Sequence, residues 1–137
     1  MNWKLTFQLS AFGLIMAFAT VSLIPEHIEF VFWLGIFIFC AYVIAKVCRR
    51  QYFLNGFMVS IINGIWIVAA HVAFYSSFVA HHVDTVKVTL GIPPDMPMHP
   101  RLKMVIDGPF FAIGFGLILG LFSFIASKIV TKNPATT

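Results

Sequence analysis

Four stretches of the chain stay apolar over the length that a bilayer-crossing helix needs, about 20 residues for a hydrocarbon core about 30 Å thick. Residues 5–24 hold no charge, and their polar members are Thr6, Gln8, Ser10, Thr20 and Ser22. Residues 28–47 are charge-free from Phe30 to Ala45, with Glu29 and Lys46 at the edges. Residues 53–80 carry no charge beyond whatever His71 bears, and residues 109–130 none before Lys128. Buried strands stop near 4–8 residues and alternate in period two; these stretches do neither. The pattern predicts an all-α integral membrane bundle of four antiparallel transmembrane helices in a single domain, residues 1–137. Pro25-Glu26-His27 is a three-residue turn, so spans one and two must be antiparallel neighbours, and Cys48–Tyr52 is a short basic turn. Residues 81–108 read as a long outer loop in which Pro100–Asp107 forms two turns of interfacial helix. Gly108-Pro109 then breaks the chain, and Pro109 suits a first helical position.

Composition fits this picture. Of the 137 residues 60% are apolar and 10% charged, and the mean hydropathy is +0.93. Soluble domains are about 25% charged, and a chain this small leaves much of its surface exposed. Lipid is therefore the expected surrounding, and soluble enzymes, disulfide scaffolds and nucleic-acid binders are set aside. The pI of about 9.3 reflects cations at membrane edges. With the N-terminus inside, Lys4, Lys46, Arg49, Arg50, Lys128 and Lys132 face the cytoplasm, and Lys87, Arg101 and Lys103 face out. That excess follows the positive-inside rule and predicts cytoplasmic N- and C-termini in a plasma membrane. Ala17-Phe18-Ala19 has the form of a leader-peptide cleavage site, but the apolar run continues to Ile24, so a retained first span is expected.

Lipid gives helices no hydrophobic reason to associate, so small residues that let backbones approach set the packing. Gly56, Ser60 and Gly64 recur at i+4 on the third span. Ala112, Gly116 and Gly120 do so on the fourth, ending in a GxxxG. Spans three and four are expected to meet along these stripes, with GxxxG serving either the bundle or a homodimer. Cys40 and Cys48 lie about 12 Å apart along a helix, too far for a disulfide.

Candidate chemistry is sparse. No span holds a carboxylate in its core, which argues against the glutamate-driven mechanism of small multidrug exporters. His71 is open to three roles: a structural hydrogen bond, a proton-sensitive group or a haem ligand. Asn63, deep in the third span, reads as a cross-helix hydrogen-bonder. His27, His81, His82, Asp84 and His99, with Glu26 and Glu29, gather on the outer side and make a candidate Zn or Cu site. Met96 and Met98 add thioethers suited to Cu(I). No HExxH or C-x-x-C spacing is present.

The segments YFLNGFMVSIINGIWIVAAH (52–71), FVAHH (78–82) and PRLKMVIDGPFFAIGFGLILGLFSFIASKIV (100–130) resemble a family of short, uncharacterised bacterial proteins with four membrane helices, known as a domain of unknown function. The resemblance implies a helical bundle in the bacterial inner membrane and no activity, cofactor or catalytic residue. The leading expectation is a non-enzymatic accessory or scaffolding membrane subunit. The alternatives are a small oligomeric transporter or channel-like unit, a metal- or haem-binding protein, and an enzyme acting on lipid. Expected partners are the lipid bilayer and either further copies of the chain or another membrane protein, with no nucleic acid.

Overall fold

The computed structural model describes residues 1–81 and 99–130. These residues form five helices: α1 (Trp3–Ser22), α2 (Glu26–Val47), α3 (Tyr52–Ala73), α4 (Tyr75–His81) and α5 (Pro100–Ile129). No strand occurs among them. Four helices, all but the short α4, are long and apolar enough to cross a membrane.

Local chemistry sets the helix ends. Asn2 caps α1, its side chain accepting from the Leu5 amide at 3.2 Å. Pro25, with its fixed φ, precedes α2 as the N-cap. Glu26 and His27 thus belong to the helix, not to a three-residue turn as the sequence reading has it. Between α2 and α3 the chain reverses through Gln51, which adopts a left-handed φ of 56°. His99 caps α5, its Nδ1 accepting from the Arg101 amide at 3.3 Å, and Pro100 takes the first turn, where no amide proton is needed.

Two predicted boundaries fail. The third span does not run unbroken to residue 80: it stops at Phe74 (φ −104°, ψ 33°) before α4. Neither Gly nor Pro marks that stop. The Phe74 ring meets Phe18 of α1 edge-on at 5.9 Å, a tertiary contact that no local pattern announces. Conversely, α5 does not break at Gly108-Pro109 but runs straight through, with Pro109 in its interior. A proline removes one helical hydrogen bond and crowds the carbonyl four residues back. Neighbouring helices make this tolerable in membrane proteins, and here Gly108 lies so close to Val68 of α3 that a Cβ would overlap it.

The helices share two ends. Asn2 bonds Asn55 at one end and Thr20 meets His71 at the other, so α1 and α3 run in step. On α3 and α5 the contacts run in opposite order: Gly56 faces Leu119 and Ser123, Gly64 faces Ala112, and Val68 faces Gly108. A core at the first end gathers Leu5 and Leu9 of α1, Phe37, Cys40, Ala41, Ile44 and Cys48 of α2, Val59 of α3 and Leu119 of α5. Lys4, Lys46, Arg49, Arg50 and Lys128 lie at this end. Glu26, Glu29, Arg101, Lys103 and Asp107 lie at the other.

Candidate functional site

Two seams converge on α3, and they differ in chemistry. The α3–α5 seam is close-packed. Any side chain at Gly56 would run into the Ser123 hydroxyl and the Leu119 carbonyl, and one at Gly64 into Ala112. Ser60 Oγ donates to the Ala112 carbonyl at 3.4 Å. Gly116 and Gly120 do not meet the small residues of α3. They receive the rings of Phe57 and Phe53, which a Cβ would approach to 2.9 Å at either position. All six stripe residues therefore take part in α3–α5 contact, partly small against small and partly glycine against aromatic.

The α1–α3 seam carries the polar groups. The buried face of α1 presents Thr6, Ser10, Ala17 and Thr20, with Gly13 in the same row. Each hydroxyl donates to a carbonyl of its own helix: Thr6 to Asn2 at 2.9 Å, Ser10 to Phe7 at 2.8 Å and Thr20 to Met16 at 2.9 Å. This is the usual way for a hydroxyl to ride inside a helix, and it leaves the oxygen lone pairs available. The spacing 6, 10, 13, 17, 20 is a heptad stripe on one helix face. The row is visible in the sequence as small and hydroxyl residues at these positions.

Three α3 side chains complete this seam. Asn55, 1% exposed, accepts from the Asn2 amide at 3.0 Å and donates to the Gln51 carbonyl at 2.8 Å. It ties the start of α1 to the strained turn before α3, a role that isolated reading of an Asn near a span edge does not give. At the opposite end Thr20 Oγ1 lies 3.2 Å from His71 Nε2. Thr20 Oγ1 also meets the Met16 carbonyl at 2.9 Å, and the imidazole tautomer sets which partner of the Thr20–His71 pair donates. The imidazole also stacks on Phe78 of α4, centroids 4.2 Å apart, which places it in packed surroundings between α1 and α4.

Asn63 sits midway and behaves otherwise. It is 3% exposed, and neither Oδ1 nor Nδ2 finds a hydrogen-bond partner. Its amide lies flat on Gly13, filling the place a side chain there would take. The expected cross-helix hydrogen bond is not formed. An orphaned buried amide costs about 1–3 kcal/mol on protein mutational scales.

Three of the outer histidines fall among the described residues. His27, His81 and His99 are all exposed. His81 Nδ1 donates to the Ser77 carbonyl at 2.8 Å, and His99 serves as a cap. Among the described residues no three His, Cys, Asp or Glu side chains come together as a metal site would require. His82, Asp84, Met96 and Met98 lie outside the described residues. Near the same end Arg101 lies over the Tyr75 ring at 5.4 Å, joining α5 to α4, and Lys103 pairs with Asp107. Cys40 and Cys48 are both buried.

The chain matches no family model, no curated protein and no solved structure.

Proposed function

We propose that the chain is a multi-pass protein of the bacterial inner membrane, an antiparallel four-helix bundle with both termini cytoplasmic, that works as an accessory or scaffolding subunit for another membrane protein. The four long apolar helices support the membrane setting, and the cation-rich end supports the orientation through the positive-inside rule. At that end Lys46 and Lys128 lie over the Tyr42 and Phe124 rings one turn back, where the aromatic face attracts the cation.

The observation that carries the subunit reading is the state of α2. Toward the basic end its inner face is held in the core, while toward the other end only Trp33 and Ile36 pack against that core, half-buried, and the face away from them is uncovered. Phe30, Val31, Phe32 and Leu34 are exposed, and Gly35 has open space where a side chain would be. A glycine on an uncovered membrane helix lets a partner backbone come close. Lipid covers such a face in the isolated chain, and a helix of the partner covers it in the complex.

Co-purification from native membranes tests this, with a photo-reactive residue in place of Phe32. One reproducible adduct with a single membrane protein is expected, lost on Gly35→Leu. Adducts with lipid alone, or with many proteins in proportion to their abundance, would contradict the reading.

A further inference from the structure

Five cations crowd one end of the bundle: Lys4 on α1, Lys46 on α2, Arg49 and Arg50 in the turn after it, and Lys128 on α5, all exposed. Among the described residues no carboxylate stands at that end, and the ion pair of Lys103 with Asp107 lies at the other. Lys46 and Lys128 rest on aromatic rings. Lys4, Arg49 and Arg50 face no acid among the described residues.

Tertiary structure gathers these three at one junction. The buried Asn55 amide accepts from the Asn2 amide at 3.0 Å and donates to the Gln51 carbonyl at 2.8 Å and the Arg50 carbonyl at 3.5 Å. The Tyr52 hydroxyl donates to the Arg49 carbonyl at 3.1 Å. The carbonyls of Arg49, Arg50 and Gln51 are thus all held from the first turn of α3. The same Asn55 anchors Asn2, two residues before Lys4. Beside Lys4 on the surface of α1, Trp3 and Phe7 are exposed, with ring centroids 6.4 Å apart.

We infer that this junction of α1 with the Cys48–Gln51 turn is a docking surface for an anionic phospholipid, the phosphate headgroup between Lys4 and the two arginines and the acyl chains along Trp3 and Phe7. A guanidinium fork matches two phosphate oxygens, and a turn whose backbone is already fixed lowers the cost of ordering the side chains it carries. Tryptophan suits the headgroup level of a membrane, and basic pockets between membrane helices take anionic headgroups. The cations call for an anion and the adjoining rings for hydrocarbon. A phospholipid supplies both in one molecule, whereas an acidic protein segment supplies only the first. The inference rests on the membrane setting proposed above and not on the subunit role.

Native mass spectrometry of the full chain in detergent micelles tests this, with phosphatidylglycerol and phosphatidylcholine of matched acyl chains added in equal amounts. One cation near an anionic surface contributes about fivefold in affinity, so retained phosphatidylglycerol should exceed phosphatidylcholine by about fivefold or more. In Arg49→Gln with Arg50→Gln the ratio should fall to within about twofold of unity, and Lys4→Gln should lower it partway. Lys103→Gln, at the other end, should leave it unchanged. Equal retention of the two lipids by the native chain, or a preference that survives loss of Lys4, Arg49 and Arg50 together, would overturn the inference. Displacement of the bound lipid by an equal concentration of glycerol 3-phosphate would overturn the lipid as occupant in favour of a free phosphate ester. The three side chains are exposed and the bonds that hold the turn are to backbone carbonyls, so the variants should fold, as circular dichroism checks; the native ratio decides in any case. A chain that stays monodisperse without detergent contradicts the membrane setting itself. Equal retention by a chain that needs detergent contradicts the lipid site alone.

Discussion

Glycines in this chain are not equivalent, and their surroundings rank them. At Gly56 an added methyl would meet the Leu119 backbone carbonyl at 2.7 Å, and a backbone cannot step aside as a side-chain tip can. At Gly114 it would meet nothing within 4 Å. Gly56→Ala should therefore lower stability by about 1–3 kcal/mol, the usual penalty for overpacking. Gly114→Ala should be neutral or raise stability by up to about 1 kcal/mol through helix propensity. Chemical unfolding in detergent micelles, followed by circular dichroism, reads both. Equal losses at the two positions would show that the close approach of α3 and α5 is not what holds them. Gly13→Ala belongs with Gly56, because it displaces the Asn63 amide.

Asn55 and Gln51 give a second residue-scale prediction. Asn55 joins two chain segments through hydrogen bonds at both ends of its amide. Asn55→Leu should cost about 1–2 kcal/mol, because the Asn2 amide loses its acceptor while the Gln51 carbonyl keeps the backbone amide of residue 55. Gln51→Gly should be tolerated or mildly stabilising, since glycine adopts a positive φ without strain. The same unfolding measurement checks the pair.

At the scale of elements, the apolar runs were fully legible and their interruptions were not. Each long helix covers most of a charge-free stretch, since twenty-odd apolar residues admit few other structures, and α5 starts ahead of its own at Pro100. The break expected at Gly108-Pro109 rests on a rule for water, where a freed carbonyl and a bent axis go uncompensated. Beside α3 the same dipeptide stays helical. The break found at Phe74 has no local signal, because it comes from an aromatic contact with α1. Pro109→Ala tests the first point. It should leave α5 helical from Pro100 onward and keep stability or raise it, as carbon chemical shifts and unfolding would show. A helix that forms across residues 108–109 only in the variant would mean that the native chain is broken there.

The site was legible in part, for a related reason. Composition and spacing name Gly56, Ser60, Gly64, Ala112, Gly116 and Gly120, because packing in lipid depends on size alone. They do not say that Gly116 and Gly120 receive Phe57 and Phe53. The polar row on α1 was equally visible at positions 6, 10, 13, 17 and 20, but its meaning depends on α1 and α3 running in step, a fact of tertiary structure. Asn63 shows the limit most plainly. Its depth follows from its place in the span, yet its lack of a protein partner follows only from what α1 presents to it, which is Gly13.

For the whole molecule, polarity is sorted inside out. Hydroxyls, amides and His71 line the α1–α3 seam, while Phe30, Phe32, Phe110, Ile118 and Ile129 are among the large apolar side chains at the surface. Such a surface is unsuited to water, and a monomeric soluble protein rarely exposes so much contiguous apolar area. The basic end adds direction. Moving the cations of the Cys48–Gln51 turn should therefore move the topology: Arg49→Gln with Arg50→Gln, combined with two lysines introduced beside His27, should produce a population with the C-terminus outside. A C-terminal alkaline phosphatase fusion should be inactive on the native chain and gain activity on this variant.

The proposed subunit role requires that the four long helices cross a bilayer, and polarised infrared spectroscopy of the purified chain in oriented phospholipid bilayers tests that most directly. The amide I dichroism should report helix axes tilted on average about 20° from the membrane normal, with the protein retained through an alkaline wash. Helices lying in the membrane plane, or protein recovered in the wash, would contradict it.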